Sequence, residues 1–128
     1  MASLCDVVVD CERPASLARF WAATLDGYEV AAYDEEEVAR LKSSGVDDTE
    51  DDPTVLVVSP ESDVRFWFQR VPERKVVKNR VHLDLASVDA DDEATRLVAL
   101  GARLHDDQPN QDLLVLSDPE GNEFCLLR

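Results

Sequence analysis

Basic residues are scarce in this sequence. Only 13 lysines and arginines stand against 28 aspartates and glutamates, a formal net charge of −15. A field of that sign repels nucleic acid and anionic membrane surfaces, so neither is an expected partner. It serves solubility, and it tolerates or attracts a cationic guest. Cysteine is sparse as well, with Cys5, Cys11 and Cys125 as the full set. An odd number of thiols, with no basic and apolar leader after Met1-Ala2-Ser3-Leu4, points to free thiols in the reducing cytoplasm. Long apolar runs are absent too: none approaches the roughly 20 residues that cross a bilayer. Aromatics make up only 6% of the chain, yet most of them gather at Phe20-Trp21 and Phe66-Trp67-Phe68, which marks packing or a site.

What is present is patterned. The 128 residues suit one domain, 1–128, with a core that needs no disulfide. Leu4 to Asp10 reads as a strand. Pro14 opens a helix whose Leu17, Phe20, Trp21 and Leu25 share a face, and Gly27 stops it. Tyr28–Tyr33, Thr54–Ser59 and Val64–Val71 read as strands, the last two joined by a turn at Pro60-Glu61-Ser62-Asp63. The order then repeats. Asn79–Ala86 alternates as a strand, and Asp89 caps a helix that ends at Gly101 and buries Ala94, Leu97 and Val98. Arg103–His105, Leu113–Ser117 and Glu123–Leu127 complete the set, with a tight turn over Asp118–Asn122. The expected class is α+β: two βαβββ modules, about 4–71 and 79–128, forming a curled, cup-shaped mixed sheet with helices on the outer face. Residues 34–52 interrupt the first module with acids. Val38 and Leu41 suggest a short helix there, before a mobile loop that reads as a solvated connector or, alternatively, a lid.

Strand parity sorts the faces. Cys5, Val7 and Val9 oppose Asp6, Val8 and Asp10; Phe66 and Phe68 oppose Arg65, Trp67 and Gln69. Val81, Leu83 and Leu85 oppose Arg80, His82 and Asp84; Phe124 and Leu126 oppose Glu123, Cys125 and Leu127. A polar face on any one strand fits a sheet half open to water. The same feature on four strands, with a tryptophan among the polar groups, fits a concave pocket.

The segments Ala18-Arg19-Phe20-Trp21, Leu25-Asp26-Gly27-Tyr28, Phe68-Gln69-Arg70-Val71-Pro72, Lys78 to Asp84, and Asp118-Pro119-Glu120-Gly121-Asn122-Glu123-Phe124-Cys125 carry a resemblance. They resemble the glyoxalase-like branch of the glyoxalase/bleomycin-resistance/extradiol-dioxygenase (vicinal oxygen chelate) superfamily, common in actinobacteria. The likeness runs from Asp6 to Leu126. It implies paired βαβββ modules, a homodimer, and a site on the first, fourth, fifth and eighth strands. Metal-dependent members hold a divalent metal there with histidine and glutamate. The matching positions here are Asp6, Gln69, His82 and Cys125, so an amide and a thiol replace two carboxylates. An amide cannot act as a base near neutral pH. His105 lies on another strand and reads as a surface residue.

Two functions follow from different classes. In the first, an enzyme of lyase, isomerase or dioxygenase type acts on a small oxygenated metabolite. His82 and Asp6 are then its catalytic residues, and Asp6, His82 and Cys125 are the possible ligands of a divalent metal. In the second, a non-catalytic protein sequesters a small molecule, as bleomycin-resistance members do. Trp67, Gln69, Arg80, Asp84 and Cys125 line the ligand site in either case.

Overall fold

The computed structural model describes all of residues 1–128 and divides them into two compact units, Met1–Arg74 and Lys75–Arg128. The first unit contains β1 (Asp6–Cys11), α1 (Pro14–Thr24), β2 (Glu29–Val30), α2 (Glu35–Ser43), a 3-10 turn (Thr49–Asp51), β3 (Thr54–Ser59) and β4 (Ser62–Arg70). Its sheet order is β1-β4-β3-β2, with β1 parallel to β4 and the other pairs antiparallel. Proline starts α1 well because its missing N–H would find no partner in a first turn. The helix buries Leu17, Ala18, Phe20 and Trp21 and packs on β3 and β4. Val55, Val57, Phe66 and Phe68 meet it from the sheet, and Phe68 is fully buried, which stabilises by about 2–3 kcal/mol. Phe20 and Trp21 stand edge to face, as do Tyr28 and Phe66 at 5.5 Å.

The second unit repeats the topology. It contains β5 (Asp84–Ala86), α3 (Ala90–Leu100), β6 (Arg103–Leu104), β7 (Leu113–Ser117) and β8 (Glu123–Leu127), in the order β5-β8-β7-β6. Again the first strand runs parallel to the last. Asp89 caps α3 by accepting the N–H groups of Asp91 and Asp92, and Gly101 ends it at φ 117°, where a side chain would be strained. Ala90, Ala94 and Leu97 pack with Leu114, Leu116, Phe124 and Leu126 as the core. The fold is therefore α+β, two βαβββ modules with one mixed four-stranded sheet each.

Several element boundaries differ from the sequence expectation. The strand expected over Asn79–Ala86 begins only at Asp84. The Glu123 carboxylate accepts the N–H of Asn79 at 2.9 Å and a bond from Lys75, while the Asn79 side chain donates to the Glu123 carbonyl. Side-chain anchoring thus replaces the backbone ladder. Arg80 and His82 lie outside the strand, and Val81, assigned to an apolar face, is 78% exposed. The second strand shrinks to Glu29–Val30, because the chain turns off the sheet at Tyr33 toward Asp52. Val98, expected in the α3 stripe, is 46% exposed: Ala90, Ala94 and Leu97 already fill the buried face. The 60–63 turn tightens to Pro60-Glu61, since Ser59 pairs with Ser62. His105, read as a surface residue, is half-buried and bonded to Ser117 at 2.7 Å.

The β7–β8 turn hangs on one carboxylate. Asp118 is 3% exposed and accepts the N–H groups of Glu120 and Asn122 and the Asn122 amide. Asp118→Ala leaves those donors unpaired, and a loss of about 2–3 kcal/mol is expected in urea unfolding. A loss under 0.5 kcal/mol, within the range of a neutral surface change, would show that water replaces the carboxylate there.

Candidate functional site

The open face of the first sheet is assembled by register. β1 and β4 pair Asp6 with Arg65, Val8 with Trp67 and Asp10 with Gln69. β3 adds Leu56 opposite Trp67 and Thr54 opposite Gln69. Residues paired across strands share a face, so Asp6, Trp67 and Gln69 stand on one surface. The Arg65 guanidinium donates Nε to Asp6 Oδ1 at 2.7 Å and Nη2 to Oδ2 at 2.9 Å. This fork is the strong, planar geometry of such pairs. It raises the Arg65 pKa through the hydrogen bond and the charge of Asp6. Gln69 Nε2 donates to Asp10 Oδ1 at 2.7 Å. The Arg65 guanidinium also sits 6.0 Å from the Trp67 ring centre, at the outer limit of a cation–π contact. Both polar residues matched to metal-ligand positions in this unit, Asp6 and Gln69, are therefore engaged with neighbours.

A cavity of about 370 Å³ opens beside Trp67. The sheet contributes Thr54, Leu56 and Trp67, and α2 closes the opposite side with Glu36, Glu37 and Arg40. Asp52 lies in the wall, 1% exposed, accepting from the Tyr33 hydroxyl at 2.8 Å and the Thr54 N–H at 2.9 Å. Burial pushes the Tyr33 hydroxyl pKa far up, and its bond to Asp52 and the charges of Asp52, Glu37 and Glu50 push it further. Sequence reasoning missed this wall, reading 34–52 as a connector or lid. The available signal was Val38 and Leu41, because Leu41 at 3% exposure anchors α2.

The second unit holds a different cluster. His82 Nε2 lies 3.2 Å from Asp84 Oδ1, and Asp84 pairs with Cys125 across β5 and β8. One ligand atom from each of His82, Asp84 and Cys125 falls within 4.8 Å of the others. His82 and Asp84 are exposed; Cys125 is buried. Burial raises the Cys125 thiol pKa first, and the charge and hydrogen bond of Asp84 raise it further, with Lys78 working against them. Arg80 is exposed beside this cluster in sequence. Asp6, expected to join His82 and Cys125, is held by Arg65 in the first unit, and Asp84 is the third donor that the second unit supplies. Imidazole, carboxylate and thiolate form a zinc-type donor set with one position open, so the residues fit a divalent metal once the thiol gives up its proton.

The raised Cys125 pKa has a direct consequence. The protonated thiol is a poor nucleophile, so alkylation by iodoacetamide near neutral pH should modify exposed Cys5 well before Cys125. The Cys125 rate should climb only above the ordinary thiol range. Peptide mass spectrometry against pH reads both rates, and rapid neutral-pH labelling of Cys125 in the folded protein contradicts the assignment.

A family model, the glyoxalase-like domain, matches residues 6–127. No curated protein matches the sequence. Solved structures match over nearly the whole chain at low identity, which shows likeness of fold. The fosfomycin resistance protein FosX from Mesorhizobium loti is 14% identical with a TM-score of 0.65, covering 99% of this chain and 91% of its own. A glyoxalase/bleomycin resistance protein/dioxygenase family enzyme from Burkholderia phytofirmans PsJN is 16% identical with a TM-score of 0.64, covering 98% and 97%. TnmS3, an antibiotic binding protein from Streptomyces sp. CB03234, is 16% identical with a TM-score of 0.60, covering 99% and 95%. With the model match spanning both modules, the chain belongs to the glyoxalase-like domain family.

Proposed function

We propose that this protein binds and sequesters a small organic molecule on the open face of its first module, as a cytoplasmic homodimer. The observation that carries this reading is the cavity beside Trp67, set on a face whose Asp6 is closed off by Arg65. Its volume of about 370 Å³ lies in the range of small-molecule pockets. Trp67 and Leu56 give a flat apolar contact, and Thr54 and Tyr33 give orienting polar groups. Both oxygens of the Asp6 carboxylate already accept charge-assisted bonds from the Arg65 fork, so this group is committed to its neighbour. The likeness to the antibiotic binding protein TnmS3 supports the same direction.

Binding of a guest to the folded state raises the melting temperature by mass action, about 2.7 kcal/mol of stabilisation at 100 times Kd. A panel of aromatic antibiotics and aromatic metabolites should contain at least one compound with a saturable shift. Trp67→Ala should weaken that compound at least roughly tenfold, as loss of a large aromatic anchor does. A shift that survives Trp67→Ala unchanged places binding elsewhere, and a panel with no saturable shift removes the reading.

A second reading is metal-assisted chemistry on a small oxygenated metabolite, favoured by the His82–Asp84–Cys125 cluster. The bound metal would act as a Lewis acid, polarising a substrate oxygen. His82, Asp84 and Cys125 would hold it, and Asp6 would stay with Arg65. Cobalt(II) titration of the purified protein should then give a thiolate charge-transfer band. Its apparent affinity should rise with pH as Cys125 loses its proton. Cys125→Ser should abolish the band and Asp6→Asn should leave it. No band up to millimolar cobalt rules this reading out, whereas loss on Asp6→Asn restores Asp6 to the ligand set.

A further inference from the structure

We propose that the cavity beside Trp67 takes an organic cation with a flat aromatic body, its charge directed at Asp52; this rests on the small-molecule reading above and adds the class of the guest. The body has an apolar surface to lie on, formed by Trp67 and Leu56. The polar walls are strongly one-signed. Asp34, Glu36, Glu37 and Asp52 face a single guanidinium, Arg40. That guanidinium is committed, since Arg40 donates Nη2 to Glu37 Oε1 at 2.6 Å and Nε to the same carboxylate at 3.2 Å. The cavity therefore keeps an excess of acids: Asp34, Glu36 and Asp52 make no ion pair, although the Arg40 charge also reaches Asp52.

Part of this acidity has an internal use. Asp34 caps α2 by accepting the Glu37 N–H, and acids in a first turn favour the helix dipole. Asp52 has no such explanation. It lies outside α2, is 1% exposed, and makes no ion pair: its two bonds come from a hydroxyl and a backbone N–H. Arg40 is near enough for its charge to feel Asp52, but it is hydrogen-bonded to Glu37 and not to Asp52, and charges interact strongly where the medium screens poorly. An entering ammonium or amidinium gains from that field, a neutral guest gains only its apolar contact, and a carboxylate is repelled. The protein's overall charge of −15 draws cations toward it from solution, but it does not select one cavity.

Three tricyclic probes of one shape separate these cases: 9-aminoacridine, cationic at neutral pH; neutral acridine; and anionic acridine-9-carboxylate. Calorimetry at physiological salt should show one molecule of 9-aminoacridine binding per chain, about tenfold or more tighter than acridine, with the carboxylate weakest. Asp52→Asn should remove most of the cation's advantage over acridine. Glu36→Gln, at an exposed helix position in the cavity wall, should weaken the cation about threefold more than it weakens acridine, which reads the charge preference even if Asp52→Asn does not fold. Equal binding of all three probes overturns the proposal while small-molecule binding stands. So does a cation preference untouched by Glu36→Gln, or non-saturable uptake of several cations per chain. If none of the probes binds, the proposal falls, and the wider panel of aromatic compounds decides the small-molecule reading beneath it.

Discussion

Everything at the candidate sites depends on the parallel pairing of the first strand of each module with its last. Parallel neighbours cannot be joined by a hairpin, so the chain between β1 and β4 must cross over and return. That crossover supplies α1, which covers one face of the sheet with Leu17, Phe20 and Trp21. The opposite face is left open. Register then decides what stands on it: Asp6 beside Arg65 and Asp10 beside Gln69, each pair 59 residues apart in sequence. The second module obeys the same constraint, and its β5–β8 register sets Asp84 beside Cys125.

One pairing rule has produced two different chemistries. In the first module the register joins opposite charges, and the pair neutralises itself. In the second it joins a carboxylate to a thiol, and nothing there is neutralised. The carboxylate instead helps keep the thiol protonated. Asp84 and Cys125, with His82 two residues before Asp84, are thus groups that gain from a cation, whereas Asp6 already has one. Within the second module, His82, Asp84 and Cys125 each bring one possible ligand atom within 4.8 Å of the others, while Asp6 is paired with Arg65 in the first.

Much of the fold was legible. Thr54–Ser59, Leu113–Ser117 and Glu123–Leu127 have the bounds that alternation and flanking turn residues suggest. Asp89 and Gly101 bracket α3 because caps act locally. Two of the failures coincide with long-range side-chain bonds. Asn79–Leu83 alternates as a strand should, yet the Glu123 carboxylate, 44 residues on, takes the Asn79 N–H. Tyr28–Tyr33 keeps its pairing to β3 only as far as the Ala31 N–H, and Tyr33 beyond it bonds Asp52 instead. Parity placed Asp6, Trp67 and Gln69 on one face, since period two is a local property. It could not give register, so the Asp6–Arg65 pair was invisible.

The acidic 34–52 segment shows how such a bond changes meaning. Taken alone, its charges look like a solvated connector, and the caps of α2 account for several of them. Burial of Leu41 and Asp52 turns the segment inward. A buried carboxylate costs free energy unless its partners repay the lost hydration. Two neutral donors satisfy Asp52 geometrically, and the nearest cation, Arg40, reaches it only through its charge while bonded to Glu37. The segment therefore forms one wall of the cavity beside Trp67, and the connector is what remains of the chain on either side.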